Sequence, residues 1–321
     1  MKSILFLGYS NLIKNRILPI LKKVGFDRVE IAKYEGQSWD EDYKKCDLPL
    51  VLYDNFKDGL SNFNGDLVYI STVNSTHVEC ARKSLGAGFN TIVDKPATFN
   101  LEEAKSLVTL AKTKGLFLGE STVYLRHPQL CQIKNIFKDN EDTPKLLTVH
   151  FTMPPFQPNN FRYQKKLGGG AIMDTSPYAV SIGRYFFNSK PDKIVCNVSE
   201  KNEVGLDIEY SLLMSYPEGK TLIGHFGFNT EYINEVHILG NRTNVHCNRI
   251  FTIPDNIENK LQVDHLNKHI IVKSPMGNNF ELYLKEVLIE LQSGNFEQAY
   301  NSMLMDAEVK QMIFDNLKFK I

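Results

Sequence analysis

The sequence predicts a two-domain protein, an α/β domain with a parallel sheet followed by an α+β domain with a large, mostly antiparallel sheet. In residues 1–120, short apolar runs alternate with helical patterns, which is typical of βαβ units in an open, Rossmann-type sheet. From about residue 145, apolar and polar residues alternate within each strand, as in sheets with one solvated face. The 321 residues are enough for two domains, which we place at residues 1–121 and 122–321.

The first domain is expected to contain six strands connected mainly by helices. The predicted strands are residues 3–7, 29–32, 50–53, 67–71, 90–93 and 117–118. The predicted helices are residues 15–24, 77–85 and 100–113. The third helix has a clear start signal, because Asn100 is a good N-cap residue and Glu103 follows three positions later.

The second domain is expected to be built on strands with few helices. The predicted strands are residues 145–152, 192–199, 207–215, 221–228 and 235–239. One helix is expected after Gly170, and terminal helices from about Phe280. No linker separates the halves, so we expect packed domains with a ligand cleft between them.

An antiparallel sheet with one free face could bury that face in a homodimer or homotetramer. Candidate residues for that outer face are Leu212, Met214, Ile223 and Phe226.

Composition excludes several classes of protein. The formal net charge is zero, which argues against a general nucleic-acid or membrane binder. No apolar run approaches the length of a membrane span, and the first residues do not form a signal peptide, so a cytoplasmic protein is expected. The five scattered cysteines favour neither disulfides nor zinc. His265 and His269 have metal-ligand spacing but lack a third ligand, so no metal is expected.

The end of the first predicted strand carries part of a dinucleotide-binding fingerprint. Of the pattern GxGxxG only the first glycine remains, and Ser10 stands in place of the second. Serine is small enough to allow a pyrophosphate near the backbone and the following helix. The alternative is an ordinary strand-to-helix turn. The candidate cofactor-binding residues here are Gly8, Tyr9, Ser10, Asn11 and Leu12.

The end of the second predicted strand bears on the choice of cofactor. NAD-binding proteins usually carry an acid there, whereas this chain has Lys33 and Tyr34. A lysine could pair with a 2′-phosphate and the aromatic ring could stack on adenine, which favours NADP(H) over NAD(H). The alternative is that Lys33 is a solvated strand end.

Further motifs follow the later strands in a fixed order. Residues 72–77 read T-x-N-x-x-H, residues 94–96 read D-K-P, Glu120 ends the next strand, and residues 168–174 read GGGxxxD. This order resembles the glucose–fructose oxidoreductase, inositol dehydrogenase and rhizopine catabolism superfamily over nearly the whole chain. The resemblance implies further cofactor-binding residues, namely Ser71, Thr72, Asn74, His77, Asp94, Lys95, Pro96 and Glu120. For His77, a place at a helix start or in a pocket wall is the favoured interpretation.

Within that superfamily, the chain is most similar to the branch of nucleotide-sugar 3-ketoreductases. The segments that carry this similarity are G-x-S-x-L-I-x-x-R-x-L-P from Gly8, N-F-R from Asn160, F-G-F-x-x-E-Y-x-N from Phe226 and R-x-F-T-x-P from Arg249. The similarity implies substrate-binding roles for Arg162, Tyr232 and Asn234. The alternatives are a surface ion pair for Arg162 and ordinary strand positions for the other two.

The resemblance also implies the catalytic residues Lys95, Asp174 and Tyr178. Asp174 and Tyr178 are four residues apart and so share one helix face. The chemistry is hydride transfer from the cofactor, with a proton delivered to the developing alkoxide. A lysine beside a phenol would favour phenolate and polarise the carbonyl. Either Tyr178 or Lys95 could donate the proton, and Asp174 could bind the sugar or hold Lys95.

Three functions remain open from the sequence. The first is NADPH-dependent reduction of a keto group on a nucleotide-linked deoxysugar. The second is NAD(P)-dependent oxidation of a free sugar or cyclitol. The third is a regulator that binds the cofactor without catalysis, which the joint presence of Lys95, Asp174 and Tyr178 disfavours.

Overall fold

In the computed structural model, which describes residues 2–318, the first sheet is parallel throughout and has the strand order 3-2-1-4-5-6. This is the order of a dinucleotide-binding Rossmann sheet, in which ligands bind beyond the carboxyl ends of the strands. The fold-class prediction is therefore confirmed. The six strands are β1 Ser3–Leu7, β2 Arg28–Ala32, β3 Leu50–Tyr53, β4 Leu67–Ile70, β5 Asn90–Val93 and β6 Leu118–Glu120.

Helices connect most of these strands, and the first of them is irregular. It begins as a π turn at Ile13–Ile17, tightens to a 3₁₀ turn at Leu18–Ile20 and ends as α1, Leu21–Val24. Pro19 lies at the change of pitch, where its missing N–H prevents a regular helical ladder. The other helices of this region are α2 Phe56–Asn62, α3 His77–Gly86 and α4 Leu101–Lys114. Asn100 caps α4 as its sequence predicts, accepting the Glu103 N–H at 2.9 Å.

The second sheet has eight strands in the order 14-13-12-11-7-10-9-8. Strands β7 and β10 pair in parallel and all other neighbours are antiparallel. Its strands are β7 Leu146–Met153, β8 Lys193–Lys201, β9 Asp207–Ser215, β10 Thr221–Phe228, β11 Ile233–Leu239, β12 Thr243–Asn248, β13 Asn259–His265 and β14 Lys268–Ser274. Helices α5, Pro128–Asp139, and α6, Ala171–Phe187, belong to the same region, and α6 packs on this sheet.

Helix α5 and the last three strands along the chain, β12, β13 and β14, are not predicted by the sequence patterns. His265 is the last residue of β13 and His269 the second residue of β14, so the two histidines lie on either side of a tight turn. Leu266 and Asn267 occupy that turn with φ of 46° and 64°. Asparagine tolerates this conformation but leucine rarely adopts it, so the sequence carries no Asn-Gly or Asp-Gly hairpin signal.

The chain forms two compact units, one of Met1–Ser121 with Phe280–Ala307 and one of Thr122–Asn279 with Glu308–Ile321. The predicted boundary assigned all of residues 122–321 to the second domain. The structure differs for α7, Asn279–Ser293, and the first half of α8, Glu297–Lys318. Tyr300 and Met303 of α8 join the apolar core around the first sheet. Apolar spacing alone predicts such helices without indicating which core they cover.

The outer face of the eight-stranded sheet also differs from the expectation. Leu212, Met214 and Phe226 are buried, and only Ile223 of the four candidates is exposed. Because side chains alternate along a strand, the exposed neighbour of Ile223 on β9 is Leu213. Among residues 2–318, no helix combines the length and apolar character that crossing a membrane requires.

A single carboxylate fixes the turn between β11 and β12. Asp142 is buried and accepts backbone N–H groups from Thr143, Asn241, Arg242 and Thr243 at 2.8–3.0 Å. Burial alone would raise the pKa of Asp142, but these four donors outweigh it and hold the pKa well below its usual range. The charged carboxylate therefore stabilises the fold above its unfolded pKa, and this contribution is lost as the pH falls toward the folded pKa.

We expect Asp142→Asn to lower the free energy of unfolding by about 2–3 kcal/mol at pH 7, because an amide group would face backbone donors. The deficit should shrink below about pH 4, because Asp142 of the unfolded wild-type chain then takes up a proton while the folded carboxylate stays charged, which removes the stabilising difference. Urea unfolding at pH 7 and at low pH measures both effects. Asp139→Asn, the same change at an exposed position of α5, is the control. An equal loss in both variants would contradict the assignment.

Candidate functional site

The carboxyl ends of β1, β4, β5 and β6 lie side by side and hold most of the predicted cofactor-binding residues. Backbone bonds extend the strand pairing into the turns, from Ser71 N to Leu7 O, from Asp94 N to Ile70 O and from Ser121 N to Val93 O. Gly8 begins the first turn with φ of 109°. A Cβ at Gly8 would lie 2.1 Å from the carbonyl oxygen of Ser71, so no other residue fits there.

A chain of hydroxyl groups connects these turns. Ser10 Oγ lies 2.8 Å from Ser71 Oγ, and Ser71 Oγ donates to Asp94 Oδ2 at 2.5 Å. The other oxygen of Asp94 lies 2.6 Å from the Tyr69 hydroxyl and 2.9 Å from Ser121 Oγ. Burial and the charge of Asp94 hold the pKa of Tyr69 well above its ordinary value, so this phenol stays a hydrogen-bond donor.

The remaining residues of the first turn differ in their surroundings. Tyr9 is buried, and its hydroxyl donates to Asp40 of the β2–β3 connection at 2.5 Å. Its ring packs against Trp39, with centroids 4.9 Å apart. The side chain of Tyr9 is therefore held by contacts to the β2–β3 connection through both its ring and its hydroxyl. Asn11 is exposed and Leu12 is half-buried, which leaves both beside solvent.

The end of β2 borders a pocket of about 520 Å³. Its lining residues are Lys33, Tyr34, Glu35, Asn55, Phe56, Lys57 and Asp58. Lys33 is not a solvated strand end, because it is buried and its Nζ lies 2.9 Å from Asp54 Oδ1. The Tyr34 hydroxyl is bonded to Thr76 Oγ1 at 2.7 Å, which fixes the ring against the wall of the pocket.

His77 and Asn74 are buried in the loop after β4. The ring nitrogens of His77 contact two carbonyl oxygens, Pro96 O at 2.8 Å and Thr72 O at 3.1 Å. His77 is also the first residue of α3. The residue therefore ties the β4 loop to the β5 loop, which agrees with a place in the pocket wall rather than a catalytic one.

The backbone around Lys95 is held on both sides. Asp94 precedes it in the hydroxyl chain, and the carbonyl oxygen of Pro96 after it lies 2.8 Å from Nδ1 of His77. The N–H of Ala97 donates to Glu120 Oε2 at 2.9 Å. The backbone position of Lys95 is therefore well defined. The residue itself is half-buried, so part of its side chain reaches solvent.

In the second unit, the glycines before α6 allow close packing within that unit. A Cβ at Gly169 would lie 2.5 Å from the carbonyl oxygen of Arg162, and one at Gly170 would lie 2.9 Å from Asp207 Oδ1. Gly170 has φ of 114°, and the Asp207 carboxylate accepts the N–H of Ile172 at 2.6 Å. These contacts explain the last two glycines of the triplet by packing at the start of α6, without reference to a cofactor.

Asp174 and Arg162 form a largely buried ion pair, whereas the alternative that the sequence left open for Arg162 was an ion pair at the surface. The Arg162 Nε donates to Asp174 Oδ2 at 2.8 Å. Burial alone would lower the pKa of Arg162, but the Asp174 carboxylate and, less strongly, the hydroxyl of Tyr178 raise it. The permanently charged guanidinium of Arg162 is therefore the partner of the Asp174 carboxylate on α6. No pattern in the sequence indicated that these two residues pair.

Tyr178 lies among aromatic rings that sequence reasoning did not assign to the site. Its ring centroid is 4.8 Å from that of Phe151, 4.9 Å from Phe251 and 5.7 Å from Tyr124. Tyr178 is half-buried, so these rings fix the plane of the phenol while leaving part of it accessible. Phe251 belongs to the R-x-F-T-x-P segment, which is the only sequence signal that could have indicated it.

The predicted substrate residues Tyr232 and Asn234 hold this segment in place. Asn234 is buried, and its side chain accepts the N–H of Phe251 at 3.0 Å and donates to Thr252 Oγ1 at 2.7 Å. The Tyr232 hydroxyl lies 2.9 Å from the same Thr252 oxygen, whereas 42% of the residue is exposed. Asn234 is thus engaged in structure, whereas the Tyr232 ring is partly exposed and has the Arg249 guanidinium 5.9 Å from its centroid.

Comparison with known proteins places these observations in a family. Residues 2–121 match the family model for an oxidoreductase family with an NAD-binding Rossmann fold, GFO_IDH_MocA, and residues 143–249 match the C-terminal domain of the same family. The dTDP-3,4-didehydro-2,6-dideoxy-alpha-D-glucose 3-reductase of Saccharopolyspora spinosa is 28% identical over 269 residues, covering 81% of this chain and 80% of that protein. The D-xylose 1-dehydrogenase (NADP(+)) 2 of Haloferax volcanii is 23% identical over 225 residues, covering 70% and 69%.

Solved structures agree with this fold over nearly the whole chain. The 3-ketoreductase KijD10 of Actinomadura kijaniata, in complex with NADP and TDP-benzene, superposes with a TM-score of 0.91 at 21% identity, covering 98% of this chain and 97% of that one. The aldose–aldose oxidoreductase of Caulobacter crescentus gives a TM-score of 0.87 at 16% identity, covering 99% and 97%. With both domain models matched in order and the parallel sheet in Rossmann order, the chain belongs to the GFO/IDH/MocA family of oxidoreductases.

Proposed function

We propose that this protein uses NADPH to reduce a keto group on a nucleotide-linked deoxysugar. The observation that carries the proposal is the similarity to a dTDP-sugar 3-reductase over four-fifths of both chains. The retained Lys95, Asp174 and Tyr178 support catalysis rather than regulation. A second candidate, oxidation of a free sugar, is favoured by the similarity to a D-xylose 1-dehydrogenase.

The residues of the first unit fit a dinucleotide. The turn at Gly8 has no room for a Cβ, and the pocket at the end of β2 has the volume of a small-molecule site. Gly8 to Leu12 and Ser71 to Asn74 would hold the phosphates and the nicotinamide half, and Lys33 and Tyr34 the adenosine half. The bound cofactor would supply the hydride.

Proton transfer is proposed for Tyr178 and Lys95. Tyr178 is held by three aromatic rings, and its phenol interacts electrostatically with the charged guanidinium of Arg162. Lys95 is fixed through its backbone, and its ammonium group would stabilise an alkoxide. Asp174 holds Arg162, and this pair would also recognise the polar part of the substrate.

We expect Tyr178→Phe to lower kcat by about 10²–10⁴-fold with a keto-sugar nucleotide, since it removes a positioned general acid. NADPH binding should persist. Steady-state kinetics with NADPH oxidation at 340 nm measures the loss, and fluorescence titration measures binding. Tyr185→Phe, on the same helix but outside the candidate site, is the control. Full activity in Tyr178→Phe would refute this role, and turnover only with free sugars would favour the second candidate.

Lys33 and Asp54 are proposed to set the preference for NADPH over NADH. Lys33 lines the pocket but its charge is paired with Asp54, so a 2′-phosphate would have to compete for it. We expect Lys33→Ala to weaken NADPH by about tenfold and NADH much less. Asp54→Asn should shift the preference further toward NADPH.

Titration of both cofactors by nicotinamide fluorescence tests this pair of variants. Lys44→Ala, an exposed lysine of the β2–β3 connection paired with Glu41, is the matched control. Equal losses for NADPH and NADH in Lys33→Ala would show that Lys33 does not read the phosphate. Tighter binding of NADH by the wild-type protein would overturn the proposed cofactor.

We also propose a homodimer formed through the outer face of the eight-stranded sheet. Val195, Leu213 and Ile223 pair in register on three adjacent strands and are each about two-fifths exposed. Such a row of apolar side chains is uncommon on a solvated face. Further assembly to a homotetramer would use other surfaces.

We expect Leu213→Asp to convert a dimer to a monomer, because a carboxylate would be buried without a partner at the interface. Sedimentation velocity across a range of concentrations measures the change. Val204→Asp, an exposed apolar residue in the β8–β9 turn, is the control. A wild-type monomer, or a dimer that survives Leu213→Asp, would contradict the proposed surface.

A further inference from the structure

The side chains of Ser10, Ser71 and Asp94 form a continuous hydroxyl chain that ends on a carboxylate. The contact distances are 2.8 Å between the two serine oxygens and 2.5 Å from Ser71 to Asp94. Ser10 Oγ also accepts the N–H of Ile13 at 3.2 Å. The hydroxyl chain therefore runs from Ser10 in the first turn after β1, through Ser71 at the end of β4, to Asp94, the residue before Lys95.

Counting protons fixes the direction of this chain. A carboxylate only accepts hydrogen bonds, and a hydroxyl has one hydrogen to donate. The Ser71 hydrogen is used on Asp94, so Ser71 can only accept from Ser10. Ser10 must then donate inward to Ser71. Its single hydrogen is consumed within the protein, and its remaining acceptor capacity is partly used by Ile13.

We propose that Asp94 is a positioning residue that sets the orientation of the first turn through this hydroxyl chain. In consequence Ser10 has no hydrogen available for the pyrophosphate of a dinucleotide, which would be bound through backbone N–H groups instead. The part concerning the dinucleotide rests on the proposed function, whereas the chain itself does not. The same carboxylate also anchors the start of the Lys95 loop, so one charge orients both the cofactor turn and a proton-transfer residue.

Hydroxyl groups surround the carboxylate of Asp94. Tyr69, Ser71 and Ser121 all present hydroxyl groups to its two oxygens at 2.5–2.9 Å. Three hydroxyl donors therefore occupy acceptor positions of one carboxylate. An amide at this position would place an N–H₂ group against at least one of the donors. Ser71 would then turn its hydrogen toward Ser10, and the chain would reverse.

The first experiment is a double-variant cycle on the free protein. Ser10→Ala and Asp94→Asn alter side chains that do not touch each other. If Asp94 orients Ser10, the double variant should lower the urea midpoint by more than the sum of the single changes, because Ser71 would lose its last acceptor. In a Ser71→Ala background the two changes should become additive. Additive midpoints in the presence of Ser71 would overturn the hydroxyl chain.

Two further variants keep this test specific. Tyr69→Phe removes another donor to the same carboxylate but leaves the Ser10–Ser71 contact, so Ser10 and Asp94 should remain coupled. Asp94→Glu keeps a carboxylate for Ser71, so its effect on the urea midpoint should be closer to additive with that of Ser10→Ala than the effect of Asp94→Asn is. Coupling that disappears in Tyr69→Phe would mean that Asp94 acts through general packing, which would also overturn the proposal.

The second experiment measures NADPH affinity and decides whether Ser10 donates to phosphate. In Ser71→Ala the Ser10 hydrogen loses its inner acceptor and becomes available to the cofactor. Ser10→Gly should therefore weaken NADPH by about tenfold more in the Ser71→Ala background than in the otherwise wild-type protein, which is about 1.4 kcal/mol of coupling. An effect of Ser10→Gly that is equally large in both backgrounds would show that Ser10 already donates to phosphate.

These outcomes separate the inference from the proposed function. Failure of the wild-type protein to bind NADPH or NADH would refute the proposed function, and the urea cycle would still decide the hydroxyl chain. If Asp94→Asn does not fold, the affinity comparison in Ser71→Ala decides the direction of the chain, since it leaves the carboxylate in place.

Discussion

The parallel pairing of β1 with β4, and of β4 with β5, is the constraint on which the candidate cofactor site depends. It places the ends of these strands at one edge of the sheet, so residues 61 and 23 positions apart in sequence come within hydrogen-bond distance. The close approach of the turn at Gly8 to the Ser71 carbonyl follows directly. Without this register, the strand ends could not hold the backbone around Lys95 in place, and the hydroxyl groups of Ser10 and Ser71 could not reach each other and Asp94.

In the second unit, the decisive interaction is the ion pair between Arg162 and Asp174. A buried carboxylate without a partner would be costly, and the guanidinium offsets that cost while staying charged. The pair also places a positive charge near Tyr178, which is a role that the sequence analysis gave to Lys95. Lys95 and Arg162 therefore supply one cation on each unit.

The sequence was sufficient to predict the parallel sheet and most strand positions, because these depend on local patterns. The family motifs could be read directly from the sequence in their order. It could not predict how polar side chains are used once folded. Lys33 is paired with Asp54, Arg162 with Asp174, and Asn234 with the backbone of Phe251. Each partner is distant in sequence and carries no local signal. The β13–β14 turn was missed because Leu266 adopts a conformation that its residue type disfavours.

The serine in place of the second fingerprint glycine illustrates how a departure from a motif can be accommodated. Glycine at such a position lets a phosphate approach the backbone, and an added hydroxyl needs a partner wherever it is partly buried. Here Ser71 accepts it, and Asp94 in turn fixes Ser71. The substitution is thus tolerable only because β4 and β5 end in a hydroxyl and a carboxylate. An eroded glycine pattern is for this reason weak evidence against dinucleotide binding when the neighbouring strand ends supply such partners.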